Sequence, residues 1–135
     1  MPRIVLLLLF LPLAAFAQSP VAPEVETVIS GGYWEKGADS GRYRVVLLNS
    51  GFEHVTSRVL IEWLRDPRQA NSVTEVVASV EPSLSFGNSV ASLRVTLTPL
   101  GKGKVRIVAS GVISADPTKK VRAVFVATQP GQVGP

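Results

Sequence analysis

Cysteine is absent from the sequence, and histidine occurs only once. A chain without cysteine forms no disulfide bond and has neither a thiol nucleophile nor a thiolate metal ligand. A metal site would have to consist mainly of carboxylates, yet no D-x-[DN]-x-[DN]-G calcium loop occurs in the chain. We therefore predict that the protein has no metal and no cofactor.

Common motifs of nucleophilic catalysis are missing as well. Neither G-x-S-x-G nor S-x-x-K occurs, and the G-x-G at 101–103 is too short for a phosphate-binding loop. Glu53 and His54 are the remaining candidates, beside a predicted turn. Neighbouring side chains on a strand point to opposite faces, so a histidine base would need a carboxylate such as Asp39 or Asp66 from elsewhere. The sequence favours a surface histidine.

Residues 1–17 have the pattern of a cleaved secretory signal peptide. Arg3 gives a positive start, residues 4–13 are apolar except for one proline, and residues 15–17 read small-x-small. A membrane-spanning helix needs about 20 apolar residues, and this run has about half that length. We predict export to the periplasm or the medium, with no transmembrane segment left after cleavage. Bacterial lipid anchoring would require a cysteine after the cleavage point.

The net charge of the chain is mildly positive. It is formally +4, and removal of residues 1–17 leaves 13 lysines and arginines against 10 acidic residues. These basic residues are spread along the chain, and no nucleic-acid partner is expected. A solvated surface accounts for a charge of this size, although anionic envelope polymers are accessible partners for an exported protein.

Residues 42–65 are expected to form the central hairpin of the fold. Residues 42–49 carry apolar side chains on both faces, which is typical of a strand inside a sheet. Residues 55–63 are rich in β-branched side chains, and Gly51 stands where a hairpin turn favours positive φ. The same stretch contains a capping-box pattern and an apolar helical stripe. An α+β fold with one helix at 51–65 is therefore the alternative.

The rest of the chain also alternates between apolar and polar residues. Further strands are predicted at 24–30, 73–81, 91–98, 105–113 and 119–128. Strands that recur every ten to fifteen residues between turn signals predict a single, mainly β domain over residues 24–128. We expect an antiparallel β-sandwich or small barrel of about seven strands. At about 118 residues after cleavage, such a domain buries about two thirds of its unfolded surface.

Three further segments are predicted to be irregular. Residues 18–23 contain two prolines and are expected to be a flexible leader, and residues 129–135 are expected to be a disordered tail. Residues 33–41 are expected to be a loop that carries Tyr33 and Trp34 between glycines. Both aromatic side chains are candidate sugar-binding rings. Alternatively, one of them folds back and caps the core.

Arg94, Arg106 and Arg122 are the other candidate ligand-binding residues. Arg94 and Arg106 lie on neighbouring predicted strands and alternate with inward-facing residues, and Arg122 fits the same alternation. Together they would form a basic stripe on one sheet face, able to bind phosphate or carboxylate groups. The alternative is a solvated face without a ligand.

These observations predict an exported, non-catalytic bacterial envelope protein. Its small β-domain would bind another envelope protein or an anionic or glycan polymer. A small hydrolase that uses His54 with carboxylates is one alternative. A structural or inhibitory protein that docks by a strand edge is another.

Overall fold

The computed structural model describes residues 21–52, 55–67, 72–87 and 89–135. The predicted signal peptide and the Glu53–His54 pair lie outside the described residues. The strands are β1 (Val25–Lys36), β2 (Asp39–Ser50), β3 (Thr56–Arg65), β4 (Glu75–Val80), β5 (Val90–Gly101), β6 (Lys104–Ile113), β7 (Asp116–Ala127) and β8 (Val133–Gly134). The described residues contain no helix, so the helix considered at 51–65 is replaced by a strand.

The strands form two four-stranded antiparallel sheets. Strands β1–β4 make the first sheet and β5–β8 the second, each in sequence order. The sheets stack on each other and do not close into a barrel. The prediction of a small antiparallel sandwich is thus confirmed, and the barrel is not formed.

The central hairpin agrees with the sequence. Strands β2 and β3 pair continuously from Ser50↔Thr56 to Gly41↔Arg65. Gly51 begins the connection with a φ of 96°, a conformation that glycine adopts without steric cost. This hairpin occupies the middle of the first sheet, between β1 and β4.

The predicted loop at 33–41 is instead another hairpin. Strand β1 continues to Lys36, and Lys36 pairs with Asp39 across a two-residue turn. Gly37 has a φ of 61° at the first turn position, which is the arrangement of a type II′ turn. The two glycines before Tyr33 do not end the strand. They belong to a register shift between Gly31 and Trp34.

The predicted disordered tail is also ordered in part. Residues 129–132 make a turn, with backbone N–H groups of Gln132 and Thr128 donating to the carbonyls of Gln129 and Gln132. Val133 and Gly134 then pair with the end of β7 as β8. The free edge of β7 provides backbone hydrogen-bond partners for these residues. Amino-acid composition does not show such a partner, so the order of the tail was not predicted.

The core lies between the facing sides of the two sheets. Alternate residues of the long strands point inward, as their two-residue period requires. The largest completely buried side chains are Trp34, Tyr43, Val45, Leu47, Val59, Ile61, Trp63, Val90, Val105 and Ile107. Leu84 and Phe86, from the connection between the sheets, join this core.

Hydrogen bonds join the sheets at both ends of the sandwich. At one end, the Ser57 hydroxyl of the first sheet lies 3.2 Å from the Val90 carbonyl oxygen of the second sheet. The same hydroxyl lies 2.8 Å from the Asn49 side-chain oxygen, within the first sheet. The other end is held by two aromatic side chains. The Trp63 indole N–H donates to the Thr128 carbonyl at 3.1 Å, and the Tyr43 hydroxyl contacts the same carbonyl.

Candidate functional site

Charge is divided unequally between the two sheets. Residues 21–89 contain six lysines and arginines against nine acidic residues, whereas residues 90–135 contain seven against one. Because each sheet is built from one continuous half of the chain, this difference along the sequence becomes a difference between two surfaces. The first sheet is acidic overall, and the second is strongly basic.

The arginines of the first sheet are paired with carboxylates. Five ion pairs lie there, namely Arg42–Asp66, Arg44–Glu62, Arg58–Glu81, Arg65–Asp39 and Arg65–Glu75. The shortest joins Arg44 to the nearly buried Glu62 at 2.5 Å. These arginines have local structural partners, so their charges are largely compensated.

The basic residues of the second sheet have no such partners among the described residues. Its single acidic side chain, Asp116, is the first residue of β7 and accepts hydrogen bonds from the hydroxyl and backbone N–H of Thr118, at 2.6 and 3.1 Å. These hydrogen bonds lower the pKa of the Asp116 carboxyl. The lysines and arginines of this sheet are therefore available to an external anion.

The three predicted arginines lie on one face, as the alternation indicated. Leu93, Ile107 and Phe125 point into the core, and Arg94, Arg106 and Arg122 are exposed on the opposite side of the same strands. Arg94 and Arg122 stand in one cross-strand row, on either side of Ser110. Arg106 lies four residues from Ser110 along β6, a distance of about 13 Å. The structure therefore brings two of the arginines together and leaves the third apart.

Two lysines also belong to this surface. We call the outer surface of β5–β7 the basic face; its cations are Arg94, Lys104, Arg106, Lys120 and Arg122. It extends for about 27 Å along β6, from the row of Lys120 and Val112 to Lys104. Sequence reasoning added the charge of Lys104 to the stripe of arginines but missed Lys120. The alternation of Lys120 with Arg122 was the available signal.

Tyr33 and Trp34 occupy different environments. Trp34 is only 1% exposed, and its indole N–H donates to the Arg42 carbonyl at 3.2 Å. Trp34 is therefore a core residue and cannot stack on a ligand. This agrees with the alternative interpretation, in which one of the two aromatic side chains folds back onto the core. Tyr33 is 47% exposed and lines a surface depression of about 640 Å³ with Lys102 and Lys104. Tyr33 thus adjoins the basic face at one of its ends.

The carboxylates considered as partners for His54 lie at the far end of the first sheet. His54 itself is outside the described residues, but its connection joins Ser50 to Thr56. Asp39 and Asp66 contact Arg65 and Arg42 at the opposite end of β3. Nine residues of strand separate the two ends, about 30 Å. Neither carboxylate is placed to orient a base in that connection.

Two further kinds of site are absent from the described part of the chain. No group of three or more histidine, aspartate or glutamate side chains is arranged there to hold a metal ion. No helix in that part is long and apolar enough to cross a membrane.

Comparison with known proteins adds no functional assignment. No family model matches the chain, and searches of curated proteins and of solved structures found no match. Function is therefore inferred from the chemistry of the basic face.

Proposed function

We propose that this is an exported, non-catalytic protein that binds an anionic polymer of the cell envelope through the basic face. The observation that carries the proposal is the set of exposed cations on the second sheet that make no ion pair within the described part of the chain, beside a first sheet whose arginines are paired. Uncompensated charge of one sign attracts ligands of the opposite sign.

The shape of the basic face favours an extended ligand. Its cations are distributed along about 27 Å of an open sheet surface rather than around one enclosed cavity. Several weak charge contacts along a chain give useful affinity together, since each bound unit raises the effective concentration of the next. A polymer with repeated anionic groups can therefore use the whole surface.

Export is proposed from the sequence pattern of residues 1–17. It would place the basic face among the anionic polymers outside the inner membrane. The catalytic alternative has less support, because the carboxylates that His54 would need contact arginines at the other end of the first sheet.

Retention on a polyanion column tests the proposed surface. We expect the mature protein to bind immobilised dextran sulfate at low salt and to elute as salt screens the charges. A triple variant with Arg94→Ala, Arg106→Ala and Arg122→Ala should elute at clearly lower salt. The matched control carries Lys36→Ala, Arg42→Ala and Arg58→Ala, which remove the same charge from the first sheet.

The two triple variants separate a surface effect from a net-charge effect. Elution of the control near the wild-type position supports binding by the basic face. Equal shifts for both variants, or no retention of the wild-type protein at low salt, would contradict the proposal.

A second candidate function is docking of an extended peptide on the edge of β7. Strand β8 pairs only with Val126 and Ala127, so most of this edge has no paired strand among the described residues. Lys119, Lys120 and Arg122 lie along this strand and would favour an acidic peptide. Protection of the β7 amides from hydrogen exchange by an acidic peptide, but not by the polyanion, would favour this alternative.

A further inference from the structure

The basic face contains a bulge at which the regular pairing of β5 and β6 is interrupted. Ala91 pairs with Val112 and Arg94 with Ser110, so two residues of β5 stand opposite Gly111. Leu93 turns into the core, while Ser92 is exposed and has a φ of 52°. A serine in this left-handed conformation is uncommon, and bulges often lie beside functional sites.

Close packing holds this bulge in place. A Cβ atom on Gly111 would lie 2.6 Å from the Val90 side chain and 3.1 Å from the Ala91 carbonyl oxygen. Both distances are too short for ordinary contact, so β5 can approach β6 here only because residue 111 is glycine. The irregularity is therefore fixed by its neighbours on both strands.

Three cations and two hydroxyl groups surround a depression beside the bulge. The depression has a volume of about 420 Å³ and is lined by Ser92, Arg94, Ser110, Lys120 and Arg122, together with Gly111, Val112 and Val121. Arg94 and Arg122 flank Ser110 from the two neighbouring strands, so their Cα atoms are about 10 Å apart. Their long side chains can close on an anion seated over Ser110.

No carboxylate of the described residues lines this depression. Among the described residues, Arg94, Lys120 and Arg122 make no ion pair, and the hydroxyls of Ser92 and Ser110 have no protein hydrogen-bond partner. The depression therefore combines three uncompensated positive charges with two free hydroxyl donors.

We propose that the bulge depression binds a phosphate monoester group carried by the anionic polymer. This inference rests on the proposed function and specifies the ligand group of that surface. A phosphate monoester carries close to two negative charges at neutral pH and presents three oxygens. Arginine binds such oxygens through two parallel N–H donors. A carboxylate or a phosphodiester carries one charge and would leave more of the positive charge uncompensated.

NMR titration with small molecules tests the choice of group. The probes are glycerol phosphate as the monoester, dimethyl phosphate as the diester, and acetate, each added to the mature protein at constant ionic strength and pH 7.5. We expect saturable shifts of the Ser92, Ser110 and Gly111 amides with glycerol phosphate, at an affinity at least tenfold above that for the other two probes. Lowering the pH to 5 should weaken binding of the monoester and leave binding of dimethyl phosphate unchanged, because of these two phosphates only the monoester loses a charge over this range.

Two double variants locate the binding within the basic face. Arg94→Gln with Arg122→Gln should reduce the affinity for glycerol phosphate at least tenfold. Lys104→Gln with Arg106→Gln removes the same charge outside the depression and should leave the affinity within twofold of wild type. Equal affinity for monoester and diester, or equal losses in the two double variants, would overturn the inference.

The polyanion column separates this inference from the proposed function. Retention that depends on the basic face, together with no preference for the monoester, would reject the phosphate site and keep the polymer-binding function. If retention does not depend on the basic face and the monoester is not preferred, both the polymer-binding function and the phosphate site are rejected.

Discussion

Tyr43 and Trp63 face each other across β2 and β3, and both contact the Thr128 carbonyl at the end of β7. Their ring centroids are 5.8 Å apart with the planes tilted by 58°, a favourable arrangement for two aromatic rings. The Tyr43 hydroxyl is also 2.6 Å from the Gly103 carbonyl. Two buried polar atoms thus find partners on the opposite sheet, which fixes how the sheets are aligned.

Replacement of Tyr43 by phenylalanine tests this connection. The variant keeps the ring contact with Trp63 but leaves the Gly103 carbonyl without this donor. We expect a loss of about 1–2 kcal/mol in the free energy of unfolding, the usual cost of an unpaired buried polar group. Urea unfolding followed by circular dichroism measures it. Tyr33→Phe is the matched control, and an equal effect of both substitutions would refute the role of the hydroxyl.

The same variant has a signature at high pH. Burial raises the pKa of Tyr43 above its ordinary value of 10.0, and the nearby Trp63 indole N–H partly opposes this rise. Above the unfolded-state pKa the folded protein binds more protons than the unfolded chain, so its stability falls as the pH rises through the folded-state pKa. Tyr43→Phe lacks this loss. The stability difference between wild type and variant should therefore narrow above pH 10.

At the scale of single elements, strand β1 depends on a glycine where it crosses the second sheet. Gly32 has a φ of 68°, and a Cβ atom there would lie 2.3 Å from the Val105 side chain. Gly37, in the turn at the end of β1, has a similar φ of 61° but no atom within 4 Å of the added Cβ. The two positions share the backbone conformation and differ in packing.

Alanine substitution at these two glycines separates strain from overpacking. Both variants should lose about 1–2 kcal/mol from the left-handed backbone. Gly32→Ala should lose a further 1–3 kcal/mol, roughly, because Val105 must move. Thermal unfolding by circular dichroism measures both changes. Equal losses would show that β1 can shift away from Val105 at no cost.

The elements that sequence predicts well are those with a regular two-residue alternation. Strands β5 and β6 have it over most of their length, and both were predicted as strands from this pattern. The hairpin at 33–41 was missed because Gly31, Gly32 and Gly37 all resemble strand ends. Only Gly37 lies in a turn, and the other two allow β1 to pass close to the second sheet. The short strand in the tail was not predicted, because residues 133–134 become a strand only by pairing with the edge of β7, and composition does not show that partner.

Prediction of the candidate site was also limited by the pairing between strands, which the sequence does not show. The alternation placed Arg94, Arg106 and Arg122 on one face, but it could not show that Arg94 and Arg122 flank Ser110. That arrangement depends on the registers of β5 and β7 against β6. The bulge at Ser92 shifts one of these registers. Gly111, a glycine inside the predicted strand, indicated a bulge or close approach there, but it did not show which residues of β5 would be displaced.

At the scale of the whole molecule, each half of the chain forms one sheet. All strand pairs join neighbours in sequence, so the chain crosses between the sheets only between β4 and β5. The two halves meet through their apolar inner faces. Neither half can bury that face without the other, because a single sheet has only one layer.

Division of the chain within this connection tests how far the halves depend on each other. We expect fragments 18–86 and 87–135 to lack a cooperative thermal transition when studied separately. An equimolar mixture should recover the β-sheet circular dichroism spectrum and a cooperative transition. Cooperative unfolding of either fragment alone would show that one sheet is stable without the other.

Both tryptophans of the chain lie on the inner side of the first sheet, with exposures of 0% for Trp63 and 1% for Trp34. The basic face carries no indole ring. Intrinsic fluorescence should therefore respond strongly when the sandwich opens and remain nearly constant when an anion binds outside. The molecule thus contains an optical probe of its folded fraction that is independent of ligand occupancy, so the two equilibria can be followed separately in one sample.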